Sequence, residues 1–86
     1  MGKEKLIDTI IFNSLQKVNK LLPKNEKIKA KKFKIKNNSV FDSLNYVTFI
    51  VDINKNFKSK FKKDPKLFNQ KVFKDKDDIL NYLIKI

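Results

Sequence analysis

The sequence predicts an all-α fold, a small four-helix bundle with a long first loop and a short third helix. Three observations carry that expectation. Apolar residues recur at three- and four-residue spacings in the first quarter of the chain, again from residue 44 to 57, and again near the C-terminus, which is the period of amphipathic helices. Asp42 and Asp75 stand just before the second and third of these segments, and Asp64 before a short stretch between them, where a carboxylate can accept a hydrogen bond from an orphan backbone N–H. Cysteine is absent, so stability must come from packing rather than from disulfides.

The first helix is expected from Glu4 to Leu22, with Leu6, Ile7, Ile10, Ile11, Leu15, Val18, Leu21 and Leu22 on one stripe and Pro23 closing it, because the residue before proline disfavours helical geometry. Residues 24–41 carry Lys24, Lys27, Lys29, Lys31, Lys32, Lys34 and Lys36 around Ile28, Ala30, Phe33 and Ile35. Their alternation slips by one at Lys31-Lys32, which argues for a long ordered loop docking a few apolar side chains rather than for a strand. Asp42-Ser43 then opens a helix with Leu44, Val47, Phe49, Ile50, Val51, Ile53 and Phe57 over a broad face, capped by Asp42 or Ser43. Lys58 to Lys63 read as a basic connector around Phe61. Asp64-Pro65 reads as a cap followed by proline at the first helical position, starting a short helix to about Gln70. Asp75, with Asp78 three residues on, resembles a capping box ahead of Ile79, Leu80, Leu83 and Ile84.

Length and composition narrow the function. At 86 residues the chain makes one domain, 1–86, burying about 60–65% of its unfolded surface and leaving no separate catalytic domain. Without His or Cys there is no thiolate nucleophile, no imidazole base and no usual zinc-ligand set, so no catalytic or metal site is expected. The single glycine, Gly2, rules out phosphate-binding loops that need several. No run approaches the ~20 apolar residues of a membrane span. Gly2 lacks the Ser or Thr that myristoylation wants four residues on, having Leu6 there, and Asp8 interrupts any secretory apolar region. A cytoplasmic protein is the expectation.

The formal charge is +12, and all 21 basic residues are lysine. Arginine is the side chain suited to bidentate base or phosphate recognition, so its absence argues against specific nucleic-acid reading. Abundant Lys, Asn and Ile also match the bias of an AT-rich genome.

The helix order, with Asp42-Ser43-Leu44 opening the second helix, resembles an acyl carrier protein. The family's attachment motif is Asp-Ser-Leu at that place, and residues 43–57 are similar without a gap. Ser43 falls on the attachment serine, Leu44 on the leucine after it, Val47 on a valine facing the core, and Phe57 on the phenylalanine ending the helix. The segment Asp75-Lys76-Asp77-Asp78-Ile79-Leu80-Asn81-Tyr82-Leu83 is similar to the family's last helix. The resemblance implies that Ser43 receives phosphopantetheine from coenzyme A through a phosphopantetheinyl transferase. Acyl groups would then be carried as thioesters between acyl-activating and acyl-transfer enzymes by a monomer that is itself no enzyme. Asp42 would position Ser43 or meet the transferase, and Leu44 and Val47 would lie at the arm's root and line an acyl pocket; a plain cap and core packing account for the same residues.

Two features depart from the family. Val40 stands where a glycine is usual, and relatives are acidic along the second helix, where this chain has only Asp42 and Asp52. The charge implies a specialised carrier rather than the housekeeping carrier of fatty acid synthesis. Lys24 to Lys36 read either as a solvated face or as a docking surface for an acidic partner or an anionic membrane, with Phe33 and Phe41 inserting or filling the core. Two other classes fit parts of the pattern: a nucleic-acid module with Phe33 or Phe61 stacking on bases, and an unmodified helical protein-interaction domain.

Overall fold

The computed structural model describes residues 2–28, 33–70 and 72–86; of Glu26 and Ser43 only the backbone is described. Among the described residues three α-helices form: α1 (Gly2–Asn19), α2 (Ser43–Phe61) and α3 (Lys76–Ile84), with single 3₁₀ turns at Lys24–Glu26 and Leu67–Asn69. The all-α expectation agrees. The expected short third helix, from Asp64-Pro65 to about Gln70, is not an α-helix; the turn at Leu67–Asn69 stands in its place.

α1 buries Ile7, Ile10, Ile11, Leu15 and Val18, the stripe read from its periodicity. It ends at Asn19, before the expected Leu22. The reason lies in Asn19 itself, whose buried side chain accepts from the Ile28 N–H (2.8 Å) and donates to the Ile28 carbonyl (3.0 Å). That two-way clamp holds the loop against the helix end, and the chain leaves through two turn bonds, Leu21 N–H to Val18 O and Leu22 N–H to Asn19 O. Leu21, placed on the apolar stripe, is exposed instead.

α1 runs antiparallel to both other helices. Its C-terminal half meets mid-α2 through Ser14 and Lys17, both on Asp52. Towards its N-terminus Lys3 donates to the Ile84 carbonyl and Asp8 pairs with Lys76 of α3. The core between them is filled by Phe49, Ile50, Ile53 and Phe57 of α2 and by Ile79 and Leu83 of α3.

The loop after α1 docks as expected. Phe33, Ile35 and Phe41 are buried, and Phe33 and Phe41 close an aromatic trio on Phe49, with centroids 5.2 to 5.8 Å apart. Phe33 and Ile35 alternate with exposed Lys34 and Lys36, a short extended run that bonds the segment ahead of α3: Ile35 and Lys36 donate to Lys74 O, and Lys76 donates to Phe33 O. The slip at Lys31-Lys32, with Lys29 and Ala30, lies outside the described residues. Among the described residues the φ > 0 positions are Asn37, Lys62 and Lys66; Val40 is not one of them, so the valine in place of glycine needs no left-handed backbone.

α2 extends four residues past Phe57. The expected connector around Phe61 is in fact its last turn, since Phe61 packs on Phe57 at 4.6 Å between centroids with the rings tilted, and the helix stops at Lys62 in the left-handed region (φ 59°). The expected short helix after Asp64 does not form. Asp64 does accept from the Lys66 N–H (3.0 Å) as a cap would, but Lys66 is left-handed (φ 51°), which breaks a right-handed helix at its second residue. That kink turns Leu67 into the core, with its N–H on the Asn54 side chain (2.9 Å). The Asn54 amide and the Lys66 N–H, both donating to Asp64, hold that carboxyl below its usual range. Before α3, Asp75 accepts from Asp78 N–H (2.9 Å). Asp78 reaches back to the Lys74 N–H (3.0 Å), one residue earlier than a capping box would have it.

Candidate functional site

The N-terminus of α2 is built by a chain of short hydrogen bonds. Asn38 turns the loop by accepting from Val40 N–H (3.0 Å) and donating to Lys34 O (2.8 Å). The Asn45 amide then ties the Val40 carbonyl to the first helical turn (2.8 Å). Asp42 is the N-cap, its carboxylate accepting from the Asn45 N–H at 2.9 Å, while its own carbonyl accepts from Tyr46 N–H. Of the two capping candidates, Asp42 therefore caps and Ser43 is the first helical residue.

That assignment decides what the site can do. The cap satisfies one of the orphan donors, and helical geometry leaves the N–H groups of Ser43 and Leu44 outside the i→i−4 ladder. With the positive end of the helix dipole they favour a negative group at this point. A phosphodiester on the first residue of α2 would sit in that field. The Asp42 carboxylate opposes it in charge but is already engaged by the Asn45 N–H.

Leu44 and Val47 do not belong to the core. Leu44 is 74% exposed and Val47 41%, so the expectation that Val47 faces the core is corrected. The core face of α2 is set by Phe49, Ile50, Ile53 and Phe57. Counting by 3.6 residues per turn, Val47 falls to one side of it. Among the described residues one cleft is lined by Phe33, Lys34, Asp75, Lys76 and Asp77, and another lies between α1 and the last turns of α2. Leu44 and Val47 line neither.

The acids of α2 divide sharply. Asp42 is exposed at the cap. Asp52 faces α1, accepting from Ser14 Oγ at 2.6 Å, Lys17 Nζ at 2.7 Å and Asn56 Nδ2 at 3.1 Å. Burial pushes its pKa up, but the bonds from Lys17 and Ser14 together with the nearby charges of Lys17 and Lys55 outweigh burial and hold it below the ordinary carboxylate value. The solvent side of α2 is therefore basic in its second half, with Lys55, Lys58 and Lys60 exposed.

The basic loop is partly structural. Lys27 Nζ donates to the Asn19 and Leu22 carbonyls at the end of α1, a helix C-terminus where a cation is favoured. Lys24, Lys34 and Lys36 are exposed, and Lys29, Lys31 and Lys32 lie outside the described residues. Phe33 and Phe41 fill the core rather than inserting into anything. Among the described residues no cluster of acids suits a metal ion, and no helix is long and apolar enough to cross a membrane.

The broad apolar face expected for α2 includes Val51, which does not join the core. It is 40% exposed on the same side as Leu44 and Val47, and the signal was present, since these three positions follow one another at three and four residues.

No family model, curated protein or solved structure matches this chain.

Proposed function

We propose that the chain is a specialised acyl carrier, a cytoplasmic monomer whose Ser43 holds phosphopantetheine. The observation that carries this reading is the position of Ser43: first residue of α2, directly after a cap whose carboxylate is committed to Asn45 N–H, and followed by a leucine left in solvent. A cap serving only to start a helix does not call for an exposed leucine two residues on, whereas a modification site needs an accessible approach.

The chain's own part is to present and hold. The Ser43 hydroxyl is the group that would take the phosphodiester, and the N-terminal dipole and first-turn N–H groups stabilise its charge. When bound, phosphopantetheine supplies a terminal thiol, which a chain without cysteine otherwise lacks. The buried aromatic trio of Phe33, Phe41 and Phe49 packs the loop against α2, so that a transferase and then acyl-activating and acyl-transfer enzymes meet the site on a packed element. Two facts weigh against the nucleic-acid reading. Of its two stacking candidates, Phe33 is buried and Phe61 is engaged by Phe57.

The test is an intact-mass measurement after incubation with coenzyme A and a broad-specificity phosphopantetheinyl transferase, beside a Ser43→Ala control. The native chain gains one phosphopantetheinyl group and the variant none. No gain with several transferases, one of them from the source organism, overturns the carrier reading and leaves an unmodified interaction domain.

A further inference from the structure

We infer that the outer face of α2 docks a protein partner whose contact surface sets an apolar patch beside a row of carboxylates; this rests on the carrier reading insofar as the partner must approach Ser43. Leu44, Val47, Val51, Lys55, Lys58 and Lys62 succeed one another at three- and four-residue steps. On α2 the first five form one stripe within about 80° of arc and about 21 Å long, and Lys62 follows it at the left-handed C-cap. All six are exposed. Among the described residues the ion pairs are Lys17 with Asp52 and Lys76 with Asp8, and neither uses a lysine of the stripe.

The stripe is divided end to end. Its half next to Ser43 is aliphatic, and its remote half is cationic. Apolar contact at the centre with complementary charge at the edge is the composition of a protein interface. A helix lying in a bilayer surface has a different pattern, with lysines flanking the apolar residues along its whole length; here Asn45 and Thr48 stand beside the aliphatic half. Nucleic acid suits the stripe less, for it carries no aromatic side chain to stack on a base and no arginine to fork onto a phosphate. The charge fixes the partner's chemistry. A docking patch rich in lysine or arginine is repelled by Lys55, Lys58 and Lys62, so the enzymes that act on this chain present Asp and Glu there.

The test is a charge swap on the unmodified, isotope-labelled chain. The probe is a synthetic amphipathic helical peptide with leucines at one end of a face and a row of glutamates at the other, followed by amide chemical shifts. The peptide shifts residues 44–62, and the Lys55→Glu/Lys58→Glu/Lys62→Glu variant weakens it by about tenfold, the sum of three partly screened pairs. A sister peptide with lysines in place of glutamates binds the variant better than the native chain. The inference is overturned by shifts spread over lysines of every element, by a variant that binds the glutamate peptide as well as the native chain, or by tighter binding to equimolar phosphatidylserine–phosphatidylcholine vesicles or a single-stranded oligonucleotide. The two readings separate cleanly. A successful charge swap without loading of Ser43 sinks the carrier alone, and loading of Ser43 without a charge swap sinks the stripe alone.

Discussion

Asp52 of α2 accepts a 2.6 Å hydrogen bond from the fully buried hydroxyl of Ser14 on α1. The same carboxylate takes Lys17 and Asn56, so one side chain ties the two longest helices together. Asp52→Ala leaves the Ser14 hydroxyl without its acceptor and is expected to cost about 1–3 kcal/mol in urea unfolding at neutral pH. Ser14→Ala removes only one bond of the three to Asp52 and is expected to cost about 1 kcal/mol.

The same carboxylate makes stability depend on pH. Its folded pKa is lowered, so its contribution is present above the ordinary carboxylate pKa of about 3.9 and is lost as pH falls through the folded value. Native chain and Asp52→Asn should therefore differ at pH 6–7 and converge under acid. Curves that stay parallel down to pH 2 would show that the charge of Asp52 contributes nothing.

Removing the two N-caps should have similar effects on stability but different consequences for loading. Asp42→Ala and Asp75→Ala each lose a side-chain bond to the third helical residue, expected to cost about 1 kcal/mol. Only Asp42→Ala should also slow modification of Ser43, because only that cap orders the turn bearing it. Equal loading rates in the two variants would remove Asp42 from the site.

Lys62 ends α2 in the left-handed region, a conformation in which a side chain costs about 1 kcal/mol and glycine little. Lys62→Gly is expected to raise Tm by a few degrees, about 0.5–1 kcal/mol for a domain of this size. Lys62→Val should lower it.

The faces of α2 should respond in opposite ways. Phe49→Ala empties the centre of the aromatic trio, and a loss of about 3–5 kcal/mol removes most of the stability expected for a small domain. Leu44→Ser, at an exposed position, should stay within about 0.5 kcal/mol while impairing docking at Ser43. Thermal unfolding and the loading assay read these two effects separately.

What was legible in the chain followed from local rules. The three helices announce themselves by period, because burying one face of an isolated helix demands apolar residues every three to four positions. Asp42 and Asp75 announce two starts, since a carboxylate there meets an orphan N–H within its own segment. Asp64 carries the same signal and misleads, because Lys66 goes left-handed so that Leu67 can reach Asn54 and the core, a demand placed by residues ten and more positions away.

The same division runs through the candidate site. The sequence by itself determined that a serine follows an aspartate at the head of an amphipathic helix, that the chain is strongly basic, and that no imidazole or thiol chemistry is available to it. Only the tertiary structure decided that α1 takes Asp52, that the loop's aromatics take the space beside Phe49, and that Leu44, Val47 and Val51 are left in water beside three lysines. The physical reason is that helical periodicity places a residue at an angle around its own axis, while the neighbours that pack against that axis decide which angles are covered.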